Sequence, residues 1–529
     1  MFIIGGHHIN SAPQQTQFTA NTTKMATLDN INPPLKEIPS IIDDLRDSFL
    51  KVPIRRQSDL RKDLHSIRKA LVDDREALAK ALYQDFHRSV QETFVLEYEC
   101  VIGEIDYLSR HLGSLLKEDK VDEKGALFST VKANVEKTPL GIILIVTPFN
   151  YPLILSMSPV IGALAAGNSV ALKLPYDKCP RFCVQLTKTL LRTGLCPRRL
   201  AVFNGGIPES SALMDQHFDK IVFTGSGRTG RIVLEKAAKH LTPVVLELGG
   251  KSPTFLTSKC NNMEKAIRRI LWGKFANAGQ TCVAPDYLLV EDKVYNEAIV
   301  AIKKIYKELF PVVSPDTDFT HVIDDRSFER LTGYLAHTSG GIILGGKADP
   351  STRFIEPTVV DGVDLTDALM KEELFGPILP IVRYSNLFKV VNTIRTTPGL
   401  QTPLALYIFS DSNAEREIIR TINSGGLCIN ETLMHAGCYA TPFGGVGSSG
   451  CGNYHGKYSI KTFTHERVVM EQPYWAESLI KLRYPPYAFS KINLSLRLAR
   501  IPPMPNLTFW DVFPYIIILT IGVMIGRSL

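Results

Sequence analysis

Lys220-Ile221-Val222-Phe223-Thr224-Gly225-Ser226-Gly227-Arg228-Thr229-Gly230 passes directly from a β-branched and aromatic run into a glycine turn. The first five residues suit a buried strand, and the segment from Gly230 to His240 suits a helix. A G-x-G-x-x-G pattern in that context can hold a pyrophosphate, because backbone amides at the helix start point at the anion. A lone match is as compatible with a plain glycine turn.

The flanking sequence extends the pattern. Leu140-Gly141-Ile142-Ile143-Leu144-Ile145-Val146 is a continuous apolar run, as in a strand covered on both faces. It ends in Thr147-Pro148-Phe149-Asn150-Tyr151-Pro152, a rigid turn carrying one amide. Ser158 to Ala166 reads as a helix stopped by Gly167-Asn168, and Val170–Lys173 and Leu200–Phe203 read as further strands. Strands alternating with helices predict an α/β fold with a parallel sheet and ligands at the strand ends. From Leu35 to Lys117, apolar residues such as Ile41, Leu45, Leu60, Leu64, Ile67 and Leu71 recur at helical spacing and predict a packing layer.

Beyond the glycine turn stands Val244-Val245-Leu246-Glu247-Leu248-Gly249-Gly250. Glu247 lies where a dinucleotide fingerprint places its ribose-binding acid. Its neighbours are apolar, however, and desolvation would raise its pKa, which suits a general base better than a sugar ligand. Gly249-Gly250-Lys251-Ser252 resembles the end of a P-loop, but Val245 occupies the position of the required earlier glycine. Cys282 follows in Gly279-Gln280-Thr281-Cys282-Val283, on a loop before the apolar run Tyr287–Val290. An isolated cysteine is more often packing than nucleophile.

The 529 residues predict two or three domains. With 45% hydrophobic and 21% charged residues the chain is of ordinary globular composition. The net charge of +7 is spread among interspersed acids and gives no nucleic-acid footprint. Nine cysteines, an odd number without a C-x-x-C pair, indicate neither a metal site nor a disulfide framework, and suggest reduced thiols facing the cytosol.

Six motifs taken together resemble the aldehyde dehydrogenase superfamily. They are Pro148-Phe149-Asn150-Tyr151-Pro152, Phe223-Thr224-Gly225-Ser226, Leu246-Glu247-Leu248-Gly249-Gly250-Lys251, Gly279-Gln280-Thr281-Cys282, Glu372-Glu373-Leu374-Phe375-Gly376-Pro377 and Pro442-Phe443-Gly444-Gly445-Val446-Gly447. Cys282-Val283-Ala284-Pro285-Asp286-Tyr287, Tyr454-His455-Gly456-Lys457 and Arg483-Tyr484-Pro485-Pro486-Tyr487 are similar to the class-3 branch, which includes membrane-bound fatty aldehyde dehydrogenases.

The resemblance implies a Rossmann-like cofactor domain and an α/β catalytic domain, with a small oligomerisation arm and a likeness to homodimers. It implies oxidation of aldehydes, long-chain fatty or aromatic, to carboxylic acids through a thiohemiacetal and a thioester. Cys282 would be the nucleophile, Asn150 the oxyanion donor and Glu247 the water-activating base. Lys173 would bind the adenosine ribose, Gly225, Ser226 and Gly230 the pyrophosphate, and Glu373 and Phe375 the nicotinamide ribose and ring. NAD is the expected cofactor, but where the family has Lys-Pro-Ser-Glu, whose glutamate helps discriminate NAD from NADP, this chain has Lys173-Leu174-Pro175-Tyr176-Asp177 with no glutamate at that place, so NADP stays open. Other readings are an acylating enzyme passing its thioester to coenzyme A, or an inactive binding protein or scaffold. The presence of Cys282, Glu247 and Asn150 argues against the scaffold, and Glu247 against the acylating enzyme.

The expected layout is a disordered extension over 1–34, a cofactor domain over 35–248 with arm strands near 127–139, and a catalytic domain over 249–448. A return segment with an oligomerisation strand follows over 449–477. Met25 offers an alternative start to Met1. Residues 478–506 form a basic juxtamembrane segment, and 507–526 are long enough as a helix, at about 30 Å, to cross a hydrocarbon layer. A buried C-terminal helix is the plainer reading of that run. A membrane anchor with the catalytic part facing the cytosol is favoured, in the mitochondrial outer membrane, with the endoplasmic reticulum or a lipid droplet as rivals.

Overall fold

The computed structural model describes residues 32–122, 124, 128–486 and 493. The extension up to residue 31, most of the basic segment 478–506 and the whole of the expected anchor 507–526 lie outside the described residues. Among the described residues, no helix is long and apolar enough to cross a membrane.

Among the described residues, those up to 115 together with 139–464 cluster as one compact unit, and those within 116–138 together with those from 465 onward as another. The larger unit contains two sheets. The first has six strands in the spatial order Gly450–Cys451, Val244–Glu247, Lys220–Thr224, Ile142–Val146, Ser169–Lys173 and Leu200–Phe203. All pair in parallel except Gly450–Cys451, which lies antiparallel to the Val244–Glu247 strand. The apolar runs read from sequence are these strands, and their interior positions are buried because helices cover both faces.

One helix begins earlier than sequence predicts. Helix Ile154–Ala165 starts before Pro159, not at Ser158. Its first amides are satisfied from a distance: the Glu97 carboxylate accepts the N–H groups of Leu153 and Ile154 at 2.7 and 2.9 Å. A cap supplied from over fifty residues away leaves no local signal.

The second sheet has seven strands in the order Gly341–Leu344, Thr358–Asp361, Ile378–Tyr384, Tyr287–Glu291, Pro253–Leu256, Ala405–Phe409 and Gly426–Ile429. Its core packs Phe255, Tyr287, Leu289, Val360, Ile378 and Leu406 without exposure. Only Leu248–Ser252 separates the end of one sheet's Val244–Glu247 strand from the start of the other's Pro253–Leu256 strand.

The smaller unit holds a three-stranded sheet in the order Asp119–Lys120, Lys132–Pro139 and Thr464–Glu471, whose boundary residues Pro139 and Thr464 belong to the larger unit. The Thr464–Glu471 strand is an edge, exposed from His465 onward.

Candidate active site

The ends of neighbouring strands assemble the site. Register pairs Val146 with Lys173 and Phe223, and Thr224 with Glu247, so four parallel strands of the first sheet end nearly level. Past or at those ends stand Asn150, Lys173, Gly225 with Ser226, and Glu247, where open α/β sheets bind ligands. The second sheet contributes from the opposite ends. Gly249–Gly250, Cys282 and Glu373–Phe375 precede strands Pro253–Leu256, Tyr287–Glu291 and Ile378–Tyr384.

Cys282 is partly exposed on the wall of a cavity of about 280 Å³. Burial pushes its thiol up, and the charges of Glu373 and Glu247 push it further, while the backbone amides of Cys282 and Val283 act the other way. Together these influences favour the thiol over the thiolate.

The loop carrying it is bent. Asn277 and Ala278 are buried with φ of 53° and 50°, left-handed values that side chains disfavour, at a typical cost of about 1–3 kcal/mol each. Its neighbours hold that shape. The Glu92 carboxylate accepts the Asn277 N–H, and the Asn277 side-chain amide donates to the carbonyls of Asn150 and Gln280 at 2.9 and 3.1 Å. The Gln280 amide donates to the His321 carbonyl at 3.0 Å and accepts from the Ile323 N–H at 3.0 Å.

Asn150 is buried and locked to the same loop, its side-chain amide donating to the Gln280 carbonyl at 3.1 Å. Its own carbonyl accepts from Arg88 at 3.1 Å. Arg88 pairs with Glu97 at 2.7 Å, both side chains fully buried, and its guanidinium lies 4.5 Å from the centre of the Tyr151 ring. Tyr151 and Thr281 share a hydroxyl–hydroxyl bond of 2.8 Å.

Glu247 is buried, and neither carboxylate oxygen has a hydrogen-bond partner among the described residues. Burial alone pushes its pKa well above the ordinary carboxylate value, as its apolar sequence context predicts. Glu373 is pushed up to about 8, by burial first and then by the nearby charge of Asp286, against a Gly250 N–H bond and the cations Lys251 and Lys274. Lys251 itself is buried and bonded to Asp286 at 2.5 Å and to the carbonyls of Leu369 and Glu372, a structural role and not a phosphate grip. Phe375 has φ of 49° and meets Phe149 edge-on at 6.0 Å.

The remaining expected residues form a separate group at the ends of the first sheet. Lys173 is buried and donates to the carbonyls of Leu174 and Gly205, both at 2.7 Å. Ser226 caps helix Gly227–Ala238, accepting the Thr229 N–H at 3.3 Å. A Cβ on Gly225 would stand 2.6 Å from the Phe223 ring, and one on Gly230 would stand 2.9 Å from Leu248.

These features fit a nicotinamide dinucleotide. The helix start at Ser226 and Gly227 offers amides to an anion. Beside Gly249 any side chain would collide with the Glu373 carboxylate, 2.0 Å from its Cβ position. That spacing keeps a narrow cradle lined by backbone and one acid. Lys173, Gly225, Ser226, Gly230, Glu373 and Phe375 stand where they could hold such a group.

Sequence reading did not find Arg88, Glu97, Tyr151, Thr281 or Trp272 as parts of the site. The first two are charged residues whose pairing depends on full burial; Tyr151 and Thr281 lie inside quoted motifs, but their mutual hydroxyl bond spans 130 residues, and Trp272 has no local pattern of its own. His455 lines the Cys282 cavity with its Nδ1 3.0 Å from the buried Glu104 carboxylate.

Comparison with known proteins agrees with this geometry. Residues 35–469 match the model of the aldehyde dehydrogenase family. The chain is 38% identical over 480 residues to the fatty aldehyde dehydrogenase HFD1 of Saccharomyces cerevisiae, covering 87% of this chain and 90% of that protein. It is 39% identical over 434 residues to aldehyde dehydrogenase family 3 member A2 of Mus musculus, covering 82% and 88%. The structure superposes on the substrate-bound state of Staphylococcus aureus AldH with a TM-score of 0.82 and 35% identity, covering 87% of this chain and 99% of that one. Strand ends, bent cysteine loop, orphan carboxylate and sequence kinship converge: the chain belongs to the aldehyde dehydrogenase family, enzymes that oxidise aldehydes to acids with a nicotinamide cofactor.

Proposed function

We propose that this enzyme oxidises long-chain aliphatic aldehydes, with Cys282 as nucleophile and Glu247 as base. The observation that carries the substrate class is the cavity in front of Cys282. Its walls are largely apolar, including Leu96, Ile154, Leu155, Trp272, Leu433 and Phe443. Such a wall binds hydrocarbon and offers little to a charged substrate. The names of the yeast relative and of others point the same way.

Glu247 takes the thiol proton, and the sulfur attacks the carbonyl carbon to give a thiohemiacetal. The Asn150 amide and the Cys282 backbone N–H donate to the developing oxyanion, a contribution of about 2.7–4 kcal/mol per donor in comparable sites. A nicotinamide held beside Glu373 and Phe375 would supply the hydride acceptor for the step from thiohemiacetal to thioester. Glu247 gives up that proton to solvent, takes one from the water that attacks the thioester, and returns it to the departing sulfur, so that the acid and the thiol are freed. An unpartnered, desolvated carboxylate is suited to this work, and it favours hydrolysis over transfer to coenzyme A.

NAD is the preferred cofactor in this proposal. Asp177 and Glu209 both lie close enough to raise the Lys173 pKa against its burial. Their negative field would disfavour the additional phosphate of NADP. The apolar run 507–526 anchors the enzyme to a membrane, the mitochondrial outer membrane by preference, and the arm sheet joins two copies.

The test is NADH formation across straight-chain aldehydes of six to eighteen carbons and benzaldehydes, with Cys282→Ala as control. Rising kcat/KM with chain length and loss of activity in the variant are expected. A preference for benzaldehydes, or full activity in Cys282→Ala, refutes the reading.

A further inference from the structure

Next to the cavity on Cys282 lies a second one of about 370 Å³. The two share three wall residues, Val95, Leu96 and Trp272. Val95 and Leu96 sit on a π-helical turn, Phe94–Tyr98, between helices Val90–Thr93 and Glu99–Leu115. Such turns are rare and recur at functional sites. Trp272 comes from the other side, on helix Met263–Phe275.

The second cavity has an aromatic floor. Phe275 and Phe310 meet edge-on at 5.4 Å, and Phe310 and Phe319 at 6.2 Å, with Leu309 beside them. Of the two acids on its walls, Glu92 and Asp318, Glu92 is engaged elsewhere, accepting from the Asn277 N–H with one oxygen and from the Thr320 hydroxyl at 3.1 Å with the other. The floor of Phe275, Leu309, Phe310 and Phe319 presents hydrocarbon and ring surface.

We propose that this second cavity, which adjoins the reaction chamber at Trp272 and the π-turn, is a tail subsite for long-chain aldehydes. The proposal rests on reading the Cys282 cavity as the aldehyde site. Ligand pockets for drug-sized molecules span about 300–1,000 Å³. The chamber at Cys282 is about 280 Å³, so a long acyl chain with its carbonyl at the thiol overflows it. The shared wall makes the second cavity the adjoining apolar space, and each methylene buried there contributes about fourfold to affinity. A short aldehyde never reaches it.

The experiment uses the full chain in detergent and compares kcat/KM for octanal and hexadecanal. Leu309→Trp and Phe319→Trp fill the second cavity without touching the first. Each is expected to lower kcat/KM for hexadecanal at least about tenfold, mainly through KM, and to leave octanal within about twofold. Phe310→Leu, which enlarges the floor, should shift preference towards still longer chains. Octanal turnover also reports that each variant folds. Equal losses for both aldehydes, or no change for either, overturn the subsite. If the unaltered chain oxidises neither aldehyde, the reading of Cys282 as an aldehyde site fails, and the subsite falls with it.

Discussion

At the scale of single residues, the site depends on a carboxylate with no partner. Glu247 is buried and without a hydrogen-bond partner among the described residues, so its proton is bound more tightly than in an ordinary glutamate. In the proposed role it acts as a base only when ionised, so turnover should rise with pH through its elevated pKa. Glu247→Gln should lower kcat about 10²–10⁴-fold, the usual range for a lost general base, and remove that rise. The rate of NADH formation against pH checks it; an unchanged profile would exclude the role. Stability gives an independent sign. A carboxyl whose folded pKa is raised binds its proton more tightly when folded, so its stabilising contribution is full below the ordinary value of 4.5 and lost as pH rises through the folded value. Glu247→Gln should therefore flatten the fall of thermal midpoint above pH 4.5.

At the scale of elements, the Asn150 turn and the cysteine loop are one assembly. Arg88 ties the Asn150 carbonyl to Glu97, and Glu97 caps the following helix. Asn277 and Gln280 close the link to the loop that carries Cys282. The positioning is backbone-deep: at Gly279, φ is +70° and a Cβ would stand 2.2 Å from the Gly376 carbonyl oxygen, so the cysteine loop packs directly on the Glu373–Phe375 loop. Arg88→Met leaves the Glu97 charge buried without its partner, which typically costs about 3–5 kcal/mol. Denaturant unfolding should show a loss of that order. Arg88→Lys keeps the charge but not the fork geometry. It should lower kcat several-fold with little change in KM; equal changes in both would argue against a positioning role.

At the scale of the whole molecule, two proposals concern segments remote from the chemistry. Strand Thr464–Glu471 leaves a sheet edge open with Val468 63% and Met470 55% exposed, an arrangement that natural proteins usually cover or charge. In the proposed dimer a second copy covers it. Val468→Lys with Met470→Lys should convert dimer to monomer in sedimentation, and a parent protein that is already monomeric defeats the idea. Deletion of residues 507–529 should release an active enzyme into the soluble fraction. Continued pelleting with membranes would place the attachment elsewhere.

The strands Ile142–Val146, Ser169–Lys173, Leu200–Phe203 and Lys220–Thr224 were legible in the sequence because burial on both faces leaves continuous apolar runs. Cys282, Glu247 and the Gly225 turn were legible because local chemistry, a loop thiol, an acid among apolar neighbours and glycines before a helix, marks each position. Their family motifs were legible for the same local reason. What tertiary structure alone decided is which of these meet. Arg88 reaches Asn150 across 62 residues, and His455 reaches Glu104 across 351. The early start of helix Ile154–Ala165 depends on Glu97 as a remote cap. Burial converts such charges from surface groups into fixed anchors, and burial is a property of the packed chain. The two cavities divided by Trp272 have the same origin: a void is bounded by residues from several elements, and no single stretch encodes it.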